Sequence, residues 1–292
     1  MASLRDIRTR INGVDATRQI TRAMQLVATS KMFKAQEAVR RSQAYADTIR
    51  RMVAGLSAAD PDLVGSHPLM RPADPSGRTA LVAFTTNRGL VGALNTNVAR
   101  VTLERARDLS SEHPGSDRAL IAIGRVGVRM LGSSLPTHAQ FTDFPDQPGA
   151  NDVRALATML VEGYANADFD AVEIVYPTFV NTVSQTPVAE RLFPLRELQE
   201  GVAAHNLQYI YEPSRSATLD ALLPRFVESR LLQIALNAAA SEHSARMVAM
   251  RNATENANEL IDSLTLTYNR QRQGAITSEM IDIASGANAQ AS

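Results

Sequence analysis

The chain has 292 residues and a mass of 31.6 kDa, with 30 basic and 30 acidic side chains, no Cys and no Trp. Absent cysteine excludes disulfide staples, thiolate nucleophiles, cysteine-ligated zinc and iron–sulfur clusters, and the even charge argues against a whole-chain nucleic-acid binder, which needs surplus Lys and Arg facing phosphate. No run approaches the roughly 18 apolar residues of a membrane span, and the start, Met-Ala-Ser-Leu-Arg-Asp-Ile-Arg, lacks a signal-peptide core, so the chain is expected to stay in the compartment that makes it.

Glycine and proline are both missing between Gly13 and Gly55 and again between Pro224 and Gly274. Each gap is rich in Ala, Arg, Gln, Glu, Met and Leu, so each end of the chain reads as one long helix. In the first, Leu4, Ile7, Ile11 and Val14 hold heptad spacing, and Ile20, Met24, Val27, Ala35, Ala38 and Val39 carry a looser stripe onward. At about 1.5 Å per residue this helix would be roughly 80 Å long, too long to pack inside an ordinary domain. Residues 1–51 carry eleven basic and four acidic side chains, a net +7. Both lysines of the chain, Lys31 and Lys34, lie there.

The tract 58–77, rich in Pro, Asp, Gly and Ser, reads as a connector. Beyond it the pattern alternates. Thr79 to Thr86, Ala119 to Ile123 and Ala171 to Tyr176 are apolar runs suited to strands covered on both faces. Val98, Val101, Ala106 and Leu109 mark one amphipathic helix between them, and Val153, Leu156, Ala157, Leu160, Val161 and Tyr164 mark another. Phe179 to Ser184 and Gln208 to Glu212 are further short strand candidates, with Pro177, Pro187 and Pro194 as boundaries. The expected fold is α/β: a long antiparallel coiled coil of the N- and C-terminal helices (1–57 and 214–292) and a central Rossmann-like parallel-sheet domain (78–213). In the second long segment Leu219, Leu222, Leu223, Phe226, Val227, Leu231 and Ile234 give way to a thin seam of Ala, Ser and Asn from Ala238 to Ala257, which lets helices approach closely. From Leu219 to Ala284 there are six basic and eight acidic side chains, so the two helices carry opposite bias.

Catalytic motifs are missing where a parallel sheet invites them. Gly89 and Gly92 after the first strand lack the third glycine of a dinucleotide fingerprint and the Lys and Ser or Thr of a Walker loop, so they read as a turn. Glu242-His243 lacks the second His of a zinc-protease motif, the five histidines are scattered, and no serine nucleophile motif occurs. No catalytic, cofactor-binding or metal-binding residue is identified. The residues alone leave open a coiled-coil adaptor with a docking α/β domain, or a nucleotide-binding enzyme using Gly89 and Gly92.

Four segments carry a resemblance. Thr17 to Met32 is similar to the N-terminal helix of the gamma subunit of F-type ATP synthases. Thr86-Asn87-Arg88-Gly89-Leu90-Val91-Gly92-Ala93-Leu94-Asn95 resembles that family's Asp-Arg-Gly-Leu-Cys-Gly-Gly-Leu-Asn segment, with Asn87 in place of Asp and Val91 in place of Cys. Ala240 to Met250 and Tyr268 to Glu279 resemble its C-terminal signatures, with Gly274 where Ala is common. The resemblance spans the chain. It implies a rotor shaft without catalytic residues of its own, turning inside a hexamer of alpha and beta subunits and meeting the epsilon subunit and the c-subunit ring outside it. It also implies residue roles. Arg272, Gln273 and Thr277 match positions that hydrogen-bond a beta-subunit loop. Ile276, Met280, Ile281 and Ile283 match an apolar tip running in a bearing. Met24 lies where the shaft meets the beta lever, whose acidic segment is the expected partner of Arg22, Lys31 and Lys34. No cofactor and no nucleic acid is implied. The expected location is the cytoplasmic face of a bacterial inner membrane, held peripherally through the complex.

Overall fold

The computed structural model describes residues 3–74, 76–195 and 211–290, with side chains as far as 285. Two long helices come from the two ends of the chain: α1, Leu4–Ala59, and α6, Arg215–Gln290. Between them lie α2 (Pro61–Ser66), a 3-10 turn at Pro68–Met70, β1 (Thr79–Phe84), α3 (Leu94–Glu112), β2 (Arg118–Ile123), α4 (Arg125–Leu131), β3 (Thr137–Phe141), α5 (Ala150–Ala165), β4 (Ala171–Phe179) and β5 (Gln185–Phe193). The chain divides into two compact units, one made of the residues up to Ala28 and from Met247, the other of Thr29–Arg246.

The larger unit holds a five-stranded sheet ordered β3-β2-β1-β4-β5, parallel except for the β4–β5 hairpin at one edge. Side chains alternate across it. Ala80, Val82, Phe84, Ile121, Ile123, Val172 and Ile174 face α5 and the sheet-side stretches of α1 and α6, where Val53, Leu56, Leu223 and Val227 are fully buried. Leu81, Ala83, Leu120 and Ala122 face α3 and α4. Burial on both faces is why these strands read as continuous apolar runs. The long helices thus supply part of the domain's own core, at about 25 cal/mol per Å² of apolar surface removed from water.

The tract expected to be a plain connector contains α2 and the 3-10 turn, capped by Asp60 and His67, and buries Val64, Leu69 and Met70 in the same core. Phe179 to Ser184 is not a strand: β4 runs on to Phe179 and residues 180–184 make the hairpin turn into β5. Pro177 and Pro187 are therefore not boundaries but sit opposite each other inside β4 and β5; the edge strand tolerates Pro187 because the missing N–H would face outward. The candidate strand at 208–212 lies largely outside the described residues. Neither α4 nor the short, mostly exposed β3 is evident from sequence.

In the smaller unit α1 and α6 run antiparallel. The Thr21 and Thr254 hydroxyls bond each other at 2.8 Å, and Arg18 donates to Asn258. Its seam differs from the expected stripe. Ile7 is buried as expected, but Ile20 and Val27 are exposed at 60% and 56%, with Thr21 and Ala28 buried beside them. Close helix approach selects small side chains at the contact and turns the larger apolar ones outward.

Candidate functional site

The loop leaving β1 occupies the position where sheets of this kind form a ligand crevice, since β1 lies between β2 and β4 where the strand order reverses. Its start is held by an internal network of side chains. Thr86 N–H donates to the Asn95 side chain, whose amide donates back to the Thr86 hydroxyl; that hydroxyl in turn donates to the carbonyl of Arg88. Asn87 accepts from Arg125 N–H and donates to the carbonyl of Phe144. Gly92, at φ +57, supplies the left-handed turn into α3. The crevice above these groups is filled by Ala235, Ala238, Ala239 and Glu242 of α6, leaving a cavity of about 40 Å³. That volume holds a water or two and no nucleotide.

The same edge of the sheet is where α6 is fastened. Within two turns the helix makes several polar contacts to strand ends and loops at the sheet's carboxyl end. Ser241 donates to the carbonyl of Pro177 at 3.1 Å, and Ser244 to that of Thr182 at 2.8 Å. Nε2 of His243 lies 3.2 Å from the carbonyl of Asp146, and Arg246 donates to that of Gly89 at 3.4 Å. The small side chains read as a helix–helix seam thus also let α6 lie close against the sheet loops. His243 is 1% exposed, and burial pushes its pKa below 6.5 against the favourable pull of the Asp146 carbonyl and Glu242. Asp146 also holds α1, through a 2.6 Å ion pair with Lys31. The Lys31 hydrogen bond, opposed by partial burial, holds the Asp146 carboxyl below 3.8.

A buried charge lies on the opposite face. Glu173 of β4 is 3% exposed and accepts two hydrogen bonds from Arg105 of α3 at 2.6 and 3.0 Å, and two from Arg191 of β5. Burial opposes its ionisation, but the two guanidiniums outweigh that and keep its pKa below 4.5. It ties a helix, a central strand and the edge strand together.

The residues singled out from sequence fall into three groups. Arg22 is exposed and Met24 half-buried, both in the smaller unit. Lys31 and Lys34 belong to the larger unit, where Lys31 is committed to Asp146 while Lys34 is exposed. Among the described residues neither Arg22 nor Lys34 forms an ion pair. Arg272, Gln273, Ile276, Thr277, Met280, Ile281 and Ile283 are all exposed on the last turns of α6. Stepping back from Arg18 to Leu4 while stepping on equally from Asn258 reaches Arg272, so the residues beyond it extend past the start of α1. Gln273 and Thr277 lie one turn apart on one face, with the Thr277 hydroxyl donating to the Gln273 carbonyl. Ile276, Met280 and Ile283 share a face, and Ile281 stands nearer to Thr277. Asp146, Glu173 and His243 complete the set of notable polar residues; no sequence motif marks the first two, and His243 lacks the second His of a metal motif.

These features define a class: an antiparallel helix pair drawn from the chain's two ends, joined to a doubly wound α/β domain whose ligand crevice its own C-terminal helix closes. Residues 3–290 match the family model described as ATP synthase. The chain is 42% identical to the ATP synthase gamma chain of Methylibium petroleiphilum over 99% of both chains, and 42% identical to that of Herpetosiphon aurantiacus over 99% of both. Its fold is similar to a chain in the cryo-EM structure of the Euglena gracilis mitochondrial ATP synthase OSCP/F1/c-ring, with a TM-score of 0.63 at 18% identity, covering 98% of this chain and 94% of that one. A chain of the Tetrahymena thermophila central stalk and c-ring aligns with a TM-score of 0.58 at 22% identity, over 80% of this chain and 99% of that one. The chain belongs to the ATP synthase gamma-chain family.

Proposed function

We propose that this chain is the central shaft of an F-type ATP synthase, transmitting rotation between a membrane-embedded c-subunit ring and the catalytic sites of an alpha/beta hexamer, and carrying no catalytic group of its own. The observation that carries the reading is the surface of the smaller unit. Ile20, Leu26, Val27, Leu266, Ile276, Met280, Ile281 and Ile283 are each exposed by 47–73%. Apolar side chains on this scale, in water, call for an enclosing partner. Unpaired cations on α1 give that partner an acidic side. On this reading Arg22, Met24 and Lys34 face the beta lever, Arg272, Gln273 and Thr277 form a breakable catch on a beta-subunit loop, and the four-residue apolar tip turns in a bearing with little angular preference. The α/β domain lies toward the epsilon subunit and the ring. The complex sits at the cytoplasmic face of a bacterial inner membrane, and this chain is peripheral to it; no described helix is long and apolar enough to cross a membrane.

The test is rotation. With the hexamer fixed to a surface and a probe attached to the α/β domain, ATP hydrolysis should turn the probe in one direction. A probe that stays still while the hexamer hydrolyses ATP refutes the shaft role and favours a static adaptor.

A further inference from the structure

Twisting a pair of packed helices makes them slide past each other along their axes. Apolar contacts such as those of Val53 and Val227 resist separation but have little directional preference, so they yield to sliding; hydrogen bonds and ion pairs have fixed geometry and resist it. A shaft of this kind therefore depends on polar ties that reach both helices at once from something rigid.

One residue does so. Asp146 offers its carboxylate to Lys31 of α1 at 2.6 Å and its backbone carbonyl to His243 of α6 at 3.2 Å. It stands in the loop 142–149 between β3 and α5, flanked by Pro145 and Pro148, each of which fixes its own φ. The preceding Phe144 has its carbonyl bonded by Asn87 and its ring edge-on to Phe84 at 6.0 Å, so the loop is pinned to the end of β1. The other three ties, from Ser241, Ser244 and Arg246, reach α6 alone.

We propose, building on the shaft reading, that Asp146 is a positioning residue that keys both helices to the sheet through Lys31 and His243, so that Lys31 acts in torsional stiffness within this chain rather than on a beta-subunit lever. The Lys31–Asp146 pair is well placed for that separation of roles. Both side chains are more than a third exposed, so the pair contributes little to folding while still setting geometry.

The experiment is a double-mutant cycle in the assembled complex. The angular spread of a probe on the α/β domain is recorded with the hexamer immobilised and ATP withheld, for wild type, Lys31→Met, Asp146→Asn and both together. Each single substitution should widen the spread, the pair should widen it no further than the wider single, and Lys31→Arg should keep it narrow. The melting temperature of the full-length chain should stay at the wild-type value throughout. An Asp146→Asn spread equal to wild type, or a double variant that adds the two single effects, overturns the proposal and returns Lys31 to a partner in the complex. A wild-type complex that fails to turn under ATP overturns the shaft reading and this inference with it; a wild type that turns, with Asp146→Asn unchanged, overturns this inference alone.

Discussion

Two buried ionisable groups in the α/β domain set its response to mutation and to acid. Glu173 is enclosed and doubly paired, so Glu173→Ala leaves Arg105 facing a cavity without its main counter-charge. Breaking a wholly buried pair costs roughly 3–5 kcal/mol; Arg191 is half exposed and Arg105 retains Glu112, so about 2 kcal/mol is expected, read as a lower urea midpoint with unchanged slope. His243 controls the pH response. Its folded pKa lies below 6.5, so as pH falls the unfolded chain takes up a proton that the folded chain refuses, and stability declines from about pH 6.5 downward. His67 is shifted the same way, chiefly by burial and despite Asp220 nearby, and adds to the decline. Asp146 adds to the decline from about pH 3.8 downward, where the unfolded chain's carboxyl takes up a proton that the folded one, held lower by Lys31, refuses. Thermal melts between pH 7 and 5 should therefore fall for wild type and fall less for His243→Gln, which keeps a donor for the Asp146 carbonyl but cannot charge. Equal slopes for the two would remove His243 from the account. None of this was legible in sequence, because the partners of Lys31 and Arg105 lie 115 and 68 residues away along the chain. Charged residues announce neither their burial nor their partner.

Elements were legible in proportion to how strongly one physical pattern governed them. The long helices follow from two gaps in glycine and proline, and β1, β2 and β4 from apolar runs that only a doubly covered strand explains. β3 is hard to read because Thr137–Phe141 is a short edge whose inward side is only Ala139 and Phe141, both partly exposed. The helix seam was read one residue out of place: size and hydrophobicity pointed to Ile20 and Val27, whereas the close approach selects Thr21 and Ala28. The last turns of α6 carry the catch proposed at Arg272, Gln273 and Thr277, whose donors suit bonds that break and re-form as the helix turns. Alanine at all three should lower ATP hydrolysis and its coupling to proton movement in reconstituted complexes. It should not change the melting of the full chain, since all three side chains are exposed. Coupling that survives the triple substitution would count against the catch.

At the scale of the whole molecule, even overall charge conceals an uneven distribution. The N-terminal 51 residues carry +7 and the remainder an equal negative charge, so the neutral total is a sum over unlike parts. Much of the positive charge finds no intrachain partner: among the described residues Arg8, Arg10, Arg22, Lys34 and Arg40 form no ion pair, while Arg71, Arg105 and Arg191 of the sheet domain do. A chain that leaves this many cations open along one helix is built to be completed by another protein. The apolar tip points the same way and permits a clean separation of folding from assembly. Ending the chain after Thr277 keeps the catch residues and removes Met280, Ile281 and Ile283, all exposed like the other described side chains beyond that point, so its stability should change by no more than about 0.5 kcal/mol. The truncated chain should nonetheless assemble poorly with the hexamer, and complexes that do form should hydrolyse ATP at close to the full-length rate, because the tip guides the helix rather than touching the chemistry. Gel filtration of the reconstituted complex reports assembly, and ATPase assays on the assembled fraction report chemistry. A truncation that assembles fully but hydrolyses slowly would place the tip in the catalytic cycle instead of in the bearing.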